Sequence, residues 1–369
     1  MVDLKGQYLK IKEQVDAGID EVINNTQFIK GPQIKVFEEN LAIYNNAKHV
    51  IACANGTDAL QVAMMALNLK PGDEIIVPVF TYIATAEVIG LLGLTPIMVD
   101  VDPNTFCIDP NKIENVITPK TKAIVPVHLF GQCADMDVIM QIAEKYNLVV
   151  IEDTAQAIGA VFENKNGLKK FAGTIGHIGT TSFFPSKNLG CYGDGGALFT
   201  NDDELAKTIR MICNHGQSVQ YVHDIIGVNS RLDSIQAAVL NAKLPHLKEY
   251  ENARNQAATW YDELLTSNPK IKIPYRDSRS THVFHQYTIQ ILDGNRDEIR
   301  KKLSEIGIPS MVYYPIPLHL QKAFVTNKYK EGDFPVAEKL CKSVLSLPIH
   351  TEMTKEMVEY ICNNLLKVL

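Results

Sequence analysis

Between residues 49 and 200, short apolar segments alternate with segments of helical periodicity, a pattern that few folds accommodate. The apolar segments are HVIACA (49–54), EIIVPVF (74–80), TPIMVDV (95–101), KAIVPVHLF (122–130), LVVIED (148–153), TTSFF (180–184) and GALFT (196–200). Helical patterns between them include TYIATAEVIGLLG (81–93) and ADMDVIMQIAEKYN (134–147). Near-continuous apolar strands joined by helices predict an α/β fold whose mainly parallel sheet is covered by helices on both faces.

The pattern changes at about residue 246. A long polar helix, HLKEYENARNQAATWYDELL (246–265), precedes a strand, HVFHQYTIQIL (282–292), a further helix and the segment VYYPIPL (312–318). A chain of 369 residues also exceeds what one hydrophobic core usually serves. We therefore expect a large domain over residues 1–245 and a smaller C-terminal α+β domain over residues 246–369.

Composition excludes several classes of function. The net charge of -6 and the pI near 5.9 leave no basic stripe for nucleic acid or an anionic membrane. The 7 cysteines are scattered, without a CxxC pair or the spacing of zinc ligands, and predict reduced thiols, a cytoplasmic protein and no metal site. The amphipathic N-terminus resembles neither a signal nor a transit peptide, and no apolar run has the length of a membrane span.

In sheets of this kind, ligands collect outside the carboxyl ends of the strands. One such end is TTSFFPSKNLGCYGDGG, where Lys187 stands between an apolar run and a glycine-dense turn. Partial burial there would lower the pKa of the amine and free it for attack on a carbonyl. A lone lysine on a turn is more often a surface residue, so other strand ends decide between the two interpretations.

Those ends carry a matching set of polar groups. Asp153 closes a buried strand, where its carboxylate needs a partner; a pyridinium N–H would serve, and Gln156 would donate to a ring hydroxyl. Gly56, Thr57 and Ser182 are candidates for a phosphate site, and Tyr82 is a candidate for an aromatic side chain stacked on the ring. Each has a structural alternative: Thr57 or Asp58 as a helix N-cap, Asp153 as another, Tyr82 in the core, and Ser182 as a satisfied strand hydroxyl.

The chain resembles a known family in CANGTDALQVAMMAL, VVIEDTAQAIGA, TSFFPSKNLGCYGDGGALFTND and GVNSRLDSIQAAVL. These segments are similar to the DegT/DnrJ/EryC1/StrS sugar aminotransferases, pyridoxal-phosphate (PLP) enzymes of fold type I. The resemblance implies that Lys187 is the Schiff-base lysine and Asp153 the partner of the pyridine nitrogen. It also implies that Gln156 contacts the ring oxygen and that Tyr82 stacks on the ring. The phosphate is expected to be bound by Gly56, Thr57 and Ser182.

The same resemblance implies a homodimer with a shared active site, in which Asn229 reaches the phosphate of the other subunit. The implied reaction uses L-glutamate as amino donor, releases 2-oxoglutarate and aminates a UDP- or dTDP-linked keto sugar. Enzymes that aminate C3 of UDP-2-acetamido-2-deoxy-3-keto-glucuronate for surface polysaccharides are especially similar. A dTDP-3-keto-6-deoxyhexose substrate is the alternative.

The sugar contacts are the least constrained part of the expected site. Arg231 would pair with the C5 carboxylate of a uronic acid or, alternatively, with Asp233. Tyr313 and Tyr314 resemble the sugar-side loop of the family, although relatives often have histidine at the first position. Two other functions on this scaffold are a PLP-dependent sugar dehydratase, which has histidine in place of Lys187, and a non-catalytic regulator; the intact Lys187, Asp153 and Gln156 argue against both.

Overall fold

A computed structural model describes residues 1–324 and 328–369. Its strands in chain order are β1 (His49–Cys53), β2 (Glu74–Pro78), β3 (Thr95–Val99), β4 (Thr121–Ile124), β5 (Val149–Asp153), β6 (Val161–Glu163), β7 (Lys169–Phe171), β8 (Ile178–Ser182), β9 (Gly196–Thr200), β10 (Gln217–Val219), β11 (Val222–His223), β12 (Ile271–Lys272), β13 (Tyr287–Ile291) and β14 (Val344–Leu347). The α-helices are α1 (Leu4–Lys10), α2 (Lys12–Asn25), α3 (Pro32–Asn45), α4 (Gly56–Ala66), α5 (Ala84–Leu91), α6 (Met136–Tyr146), α7 (Asp203–Ile212), α8 (Ser234–Lys243), α9 (Leu247–Leu265), α10 (Arg296–Glu305), α11 (Pro335–Ser343) and α12 (Lys355–Val368).

The central sheet has seven strands in the order β1-β9-β8-β5-β4-β2-β3. Strands β3, β2, β4, β5 and β8 are parallel, whereas β9 runs antiparallel to both β8 and β1. Asp153, the last residue of β5, is in register with Thr180 of β8. The prediction of a mainly parallel sheet is therefore confirmed, and the carboxyl ends of β5 and β8 lie side by side.

The main core lies between this sheet and the helices that cover it. Apolar side chains of β2, β4 and β5 are completely buried, as the near-continuous apolar pattern of these strands requires; examples are Ile76, Ile124 and Ile151. Helix α6 shows how sequence sets the ends of a covering helix, since Asp135 caps its first turn and Asn147 closes it in the left-handed conformation. Because both faces of the sheet are buried under helices, the polar residues at its carboxyl edge are held in place.

A second core surrounds the antiparallel sheet β12-β13-β14 and includes apolar residues of α9, α10 and α12. Helix α9 begins at Leu247, directly after α8 and a short 3-10 turn over 244–246. Helix α11 differs from its neighbours in sequence, because Ala337 and Leu340 pack with the core of the large sheet. The division between residues 245 and 246 therefore stays a prediction.

Within the described residues, no helix combines the length and the apolar character that crossing a membrane requires.

Candidate active site

A cavity of about 660 Å³ opens at the carboxyl ends of β2, β5 and β8, beside the N-terminus of α4. Its wall contains the two residues expected to carry the chemistry, Lys187 and Asp153. Other sequence-predicted residues in the wall are Gly56, Thr57, Tyr82, Gln156, Ser182, Tyr313 and Tyr314. The structure thus brings together residues from five separate stretches of the chain at one edge of the sheet.

Lys187 lies in a turn in which its own N–H donates to the carbonyl of Phe184 at 2.8 Å. Its side chain is partly buried, and its amine makes no hydrogen bond with any described residue. Burial lowers the pKa of Lys187 from 10.5 to about 8, and the negative charge of Asp153 opposes this shift. An amine with this pKa is partly neutral near physiological pH, so it is available as a nucleophile or a base.

Asp153 is buried at the end of β5, and its carboxylate has two donors. The hydroxyl of Thr85 donates to Oδ2 at 2.9 Å, and the N–H of Ala155 donates to Oδ1 at 3.1 Å. The segment after Asp153 is a turn and not a helix, so Asp153 does not act as an N-cap. Thr85, on the first turn of α5, was not identified from the sequence; a buried threonine at that place fits helix packing equally well.

Gln156 connects three segments of the site. Its Oε1 accepts the N–H of Phe130 at 2.8 Å, while its Nε2 donates to the hydroxyl of Tyr314 at 3.0 Å. Burial, more than any neighbouring charge, raises the pKa of Tyr314 above its ordinary value, so this hydroxyl stays protonated. Tyr82 lies at the mouth of the cavity with 57% of its surface exposed, its ring centroid 6.2 Å from that of Tyr314. Tyr82 is therefore not a core residue.

The first turn of α4 forms a polar end of the cavity. Asn55, rather than Thr57 or Asp58, is the N-cap, because its Oδ1 accepts the N–H of Asp58 at 2.8 Å. Gly56 lies so close to β8 that a Cβ added to it would be 2.6 Å from the Cβ of Ser182. The free N–H groups and positive dipole end of this 11-residue helix suit a phosphate.

Two predicted residues, Asn229 and Arg231, do not line this cavity. Arg231 lines a separate groove of about 820 Å³ beside α3, β1 and α7, and its Nη1 donates to Oδ1 of Asn214 at 3.1 Å. Asp233, its sequence-based alternative partner, forms no ion pair with it among the described residues. Asn229 pairs with Asn214 in an isolated β-bridge. Within one chain, neither side chain belongs to the Lys187 cavity, and their expected roles stay predictions.

Two histidines, His285 and His128, have different positions relative to the cavity. His285 lines the cavity, where burial and then the positive charges of Lys187 and Arg254 hold its pKa well below the ordinary value, so the ring is neutral. Nothing in the spacing of the histidines indicated its place. His128, by contrast, is a completely buried core residue whose Nε2 lies 2.9 Å from Oε2 of the equally buried Glu152.

The residues present fit PLP. The unpaired amine of Lys187 would bind the aldehyde of PLP, and the buried carboxylate of Asp153 would hold its pyridine nitrogen. Gln156 lies in the same wall, and the first turn of α4 with Ser182 offers donors for the phosphate. An amine, a carboxylate and a helix N-terminus at one edge of a parallel sheet form a donor set that suits a phosphorylated aldehyde.

Known proteins have the same architecture. The model of the DegT/DnrJ/EryC1/StrS aminotransferase family matches residues 9–366. A pleiotropic regulatory protein of Geobacillus stearothermophilus is 48% identical, with 98% of this chain and 96% of that protein covered. The UDP-2-acetamido-2-deoxy-3-oxo-D-glucuronate aminotransferase of Pseudomonas aeruginosa is 47% identical, with 98% of each covered. The crystal structure of NtdA from Bacillus subtilis with bound cofactor PMP has a TM-score of 0.89 and 37% identity, with 97% of this chain and 82% of that chain covered.

The fold and the comparisons define a PLP-dependent aminotransferase of fold type I. The chain belongs to the DegT/DnrJ/EryC1/StrS aminotransferase family. The expectations for fold class, cofactor and enzyme class are thereby confirmed.

Proposed function

We propose that this chain transfers the amino group of L-glutamate to a nucleotide-linked keto sugar, at C3 of UDP-2-acetamido-2-deoxy-3-keto-glucuronate, for a surface polysaccharide. The observation that carries the proposal is the meeting of Lys187, Asp153 and the first turn of α4 in one cavity. The Pseudomonas aeruginosa relative supports the choice of sugar, since its name specifies this 3-oxo-glucuronate and the two chains match over nearly their whole lengths.

Each residue of the cavity has its own role in the proposed reaction. PLP, when bound, supplies the electron sink for the carbon that loses a proton. Lys187 takes that proton and returns it, because a partly buried amine with a pKa of about 8 exists in both protonation states near neutrality. Asp153, whose carboxylate accepts from Thr85 and Ala155, would hold the ring nitrogen. Tyr82 would lie on the ring face, and Tyr313 and Tyr314 would contact the sugar.

The active site is proposed to be shared in a homodimer, with Asn229 of one subunit at the phosphate of the other. The segment that precedes Asn229 supports this assembly, because the β10–β11 hairpin and the residues after it expose large apolar side chains. Tyr221 is 81% exposed and Ile226 is 86% exposed, which is costly on a surface that stays in water. Arg231 enters the same partner site in this arrangement and there pairs with the C5 carboxylate of the sugar.

A mixed-dimer experiment tests the shared site. Lys187→Ala and Asn229→Ala proteins are each assayed alone and after subunit exchange. If Asn229 serves the partner's cavity, one site of each mixed dimer contains both native residues, and activity returns. If Asn229 serves its own cavity, each site of the mixed dimer lacks one of the two residues, so the absence of recovery would contradict the shared site.

The substrate is tested in the reverse direction, which avoids unstable keto sugars. The enzyme receives 2-oxoglutarate and a panel of UDP- and dTDP-linked 3-amino and 4-amino sugars, with and without a C5 carboxylate, and glutamate formation is measured. We expect the UDP-linked 3-amino uronic acid to react fastest. Preference for a dTDP-linked 6-deoxy sugar would favour the alternative substrate.

A non-catalytic regulator is the second function to consider, because the Geobacillus stearothermophilus relative carries a regulatory name. The presence of Lys187, Asp153 and Gln156 in one cavity favours catalysis. Lys187 likewise disfavours a dehydratase, whose expected residue at this position is histidine. The seven buried free cysteines agree with the cytoplasmic location that we infer.

A further inference from the structure

A second lysine, Lys243, is buried behind the turn that carries Lys187. It ends α8 with only 1% of its surface exposed. Its Nζ lies 2.7 Å from the carbonyl oxygen of Gly190 and 4.4 Å from the ring centroid of Tyr192, and no carboxylate of the described residues pairs with it. Burial lowers the pKa of Lys243 to about 8, with Cys191 opposing the shift. Burying such an amine is costly unless it is hydrogen-bonded, and the carbonyl of Gly190 accepts its hydrogen bond.

The same face of α8 holds the turn at a second point. Gln236 precedes Lys243 by two helical turns, so both side chains project from one side of the helix. The N–H of Tyr192 donates to Oε1 of Gln236 at 2.8 Å, and Nε2 of Gln236 donates back to the carbonyl of Tyr192 at 3.4 Å. Helix α8 therefore holds Gly190 through one side chain and Tyr192 through another.

The contact at Gly190 holds the backbone on both sides of Lys187 in place. The backbone folds back on itself here, since a Cβ added to Gly190 would lie 2.4 Å from the carbonyl oxygen of Pro185. Pro185 lies two residues before Lys187 and Gly190 three residues after it, so the reactive lysine occupies a closed turn that rests on α8. Burial and Asp153 govern the pKa of Lys187, and burial and Cys191 govern that of Lys243. Neither lysine charge contributes to the pKa of the other, so the connection between them is the backbone of the turn.

We propose that Lys243 and Gln236 are positioning residues that clamp the turn 185–192 against α8 and so place the amine of Lys187 relative to Asp153. This inference rests on the proposed role of Lys187 as the reacting amine. Loosening the clamp lets the amine move toward solvent, which restores part of its hydration and spoils its alignment with the reacting carbon.

The test compares Lys243→Met and Gln236→Ala with the control Asn241→Ala in the full-length protein. Asn241 lies on the same helix and donates to a backbone carbonyl, that of Gln33, at 2.9 Å, but it does not contact the turn. Competitive acetylation of the cofactor-free protein across pH, read by peptide mass spectrometry, gives the titration midpoint of Lys187. A pH titration of the cofactor absorbance repeats the measurement in the loaded enzyme.

We expect both clamp variants to shift the midpoint of Lys187 upward by about one pH unit and to lower kcat about tenfold with little change in KM for glutamate. Asn241→Ala should match the wild type in both measurements. Unchanged midpoints in folded clamp variants would overturn the proposal, and Gln236→Ala alone decides if circular dichroism finds Lys243→Met unfolded. The acetylation measurement uses no sugar, so it stands apart from a failure of the substrate assignment.

Discussion

Substituting Gly56 by alanine tests whether the close approach of α4 and β8 builds the phosphate end of the site. The added Cβ would lie 2.6 Å from the Cβ of Ser182 and 3.2 Å from its Cα, whereas ordinary contact begins at 3.4 Å. The two elements must therefore separate by about 0.8 Å (3.4 − 2.6). Overpacking of this kind costs about 1–3 kcal/mol. Because α4 moves together with its first-turn N–H groups, their hydrogen bonds to the phosphate, worth about 1.5–3 kcal/mol for a charged acceptor, should weaken, and PLP binding should fall by about tenfold to a hundredfold.

Two measurements check this expectation. Urea unfolding of the cofactor-free protein gives the loss of stability, and equilibrium dialysis gives the Kd for PLP. The matched control is Gly90→Ala, inside α5, where an added Cβ meets no described atom within 4 Å apart from its chain neighbours and the backbone of its own helix. Alanine should stabilise that helix by about 0.5–1 kcal/mol, since glycine loses more backbone entropy on folding.

A rescue variant sharpens the result. Removing the Cβ of Ser182 in the double variant Gly56→Ala with Ser182→Gly eliminates the 2.6 Å contact, so part of the lost stability should return. PLP binding should recover less, because the hydroxyl of Ser182 is lost as well. If Gly56→Ala has the same stability to urea and the same Kd for PLP as Gly90→Ala, the steric reasoning is wrong.

Three further variants test individual side chains. Lys187→Met should stabilise the cofactor-free protein most below pH 8, where folding of the wild type buries a charged amine. The gain in stability should shrink as pH rises to 10.5, because folding lowers the lysine pKa from 10.5 to about 8. Urea denaturation across pH measures the gain in stability, and a pH-independent gain would contradict the pKa shift. Asp153→Ala should weaken PLP retention by about tenfold to a hundredfold, the range for hydrogen bonds to charged groups, and should also slow turnover; wild-type retention after dialysis would exclude the ring contact. Arg231→Ala should reduce kcat/KM for a uronic-acid substrate by about tenfold to a hundredfold and leave a 6-deoxy sugar nearly unaffected; equal losses on both would remove the carboxylate contact.

The sequence indicated the strands of the large sheet because they are buried on both faces and therefore continuously apolar. It also pointed to Asp153, the last residue of a buried apolar strand, and to Lys187, which stands between an apolar run and a glycine-dense turn. Hydrophobic pattern carries no direction, so it did not reveal that β9 runs antiparallel to its neighbours. Thr85 escaped notice for a related reason, because its hydroxyl reaches Asp153 across 68 positions of the chain and only the folded sheet brings them together.

Gln156 links distant segments of the chain that line the Lys187 cavity. Its amide accepts the N–H of Phe130, which follows β4, and donates to Tyr314 near the C-terminal part of the chain. Gln156 itself follows Asp153 by three residues, so in the proposed reaction a displacement of Tyr314 would act on the segment that carries Asp153. The rings of Tyr314 and Tyr82, 6.2 Å apart, extend the same chain of contacts to the mouth of the cavity. The side chain of Gln156 therefore connects the segment after β5 with both Phe130 and Tyr314.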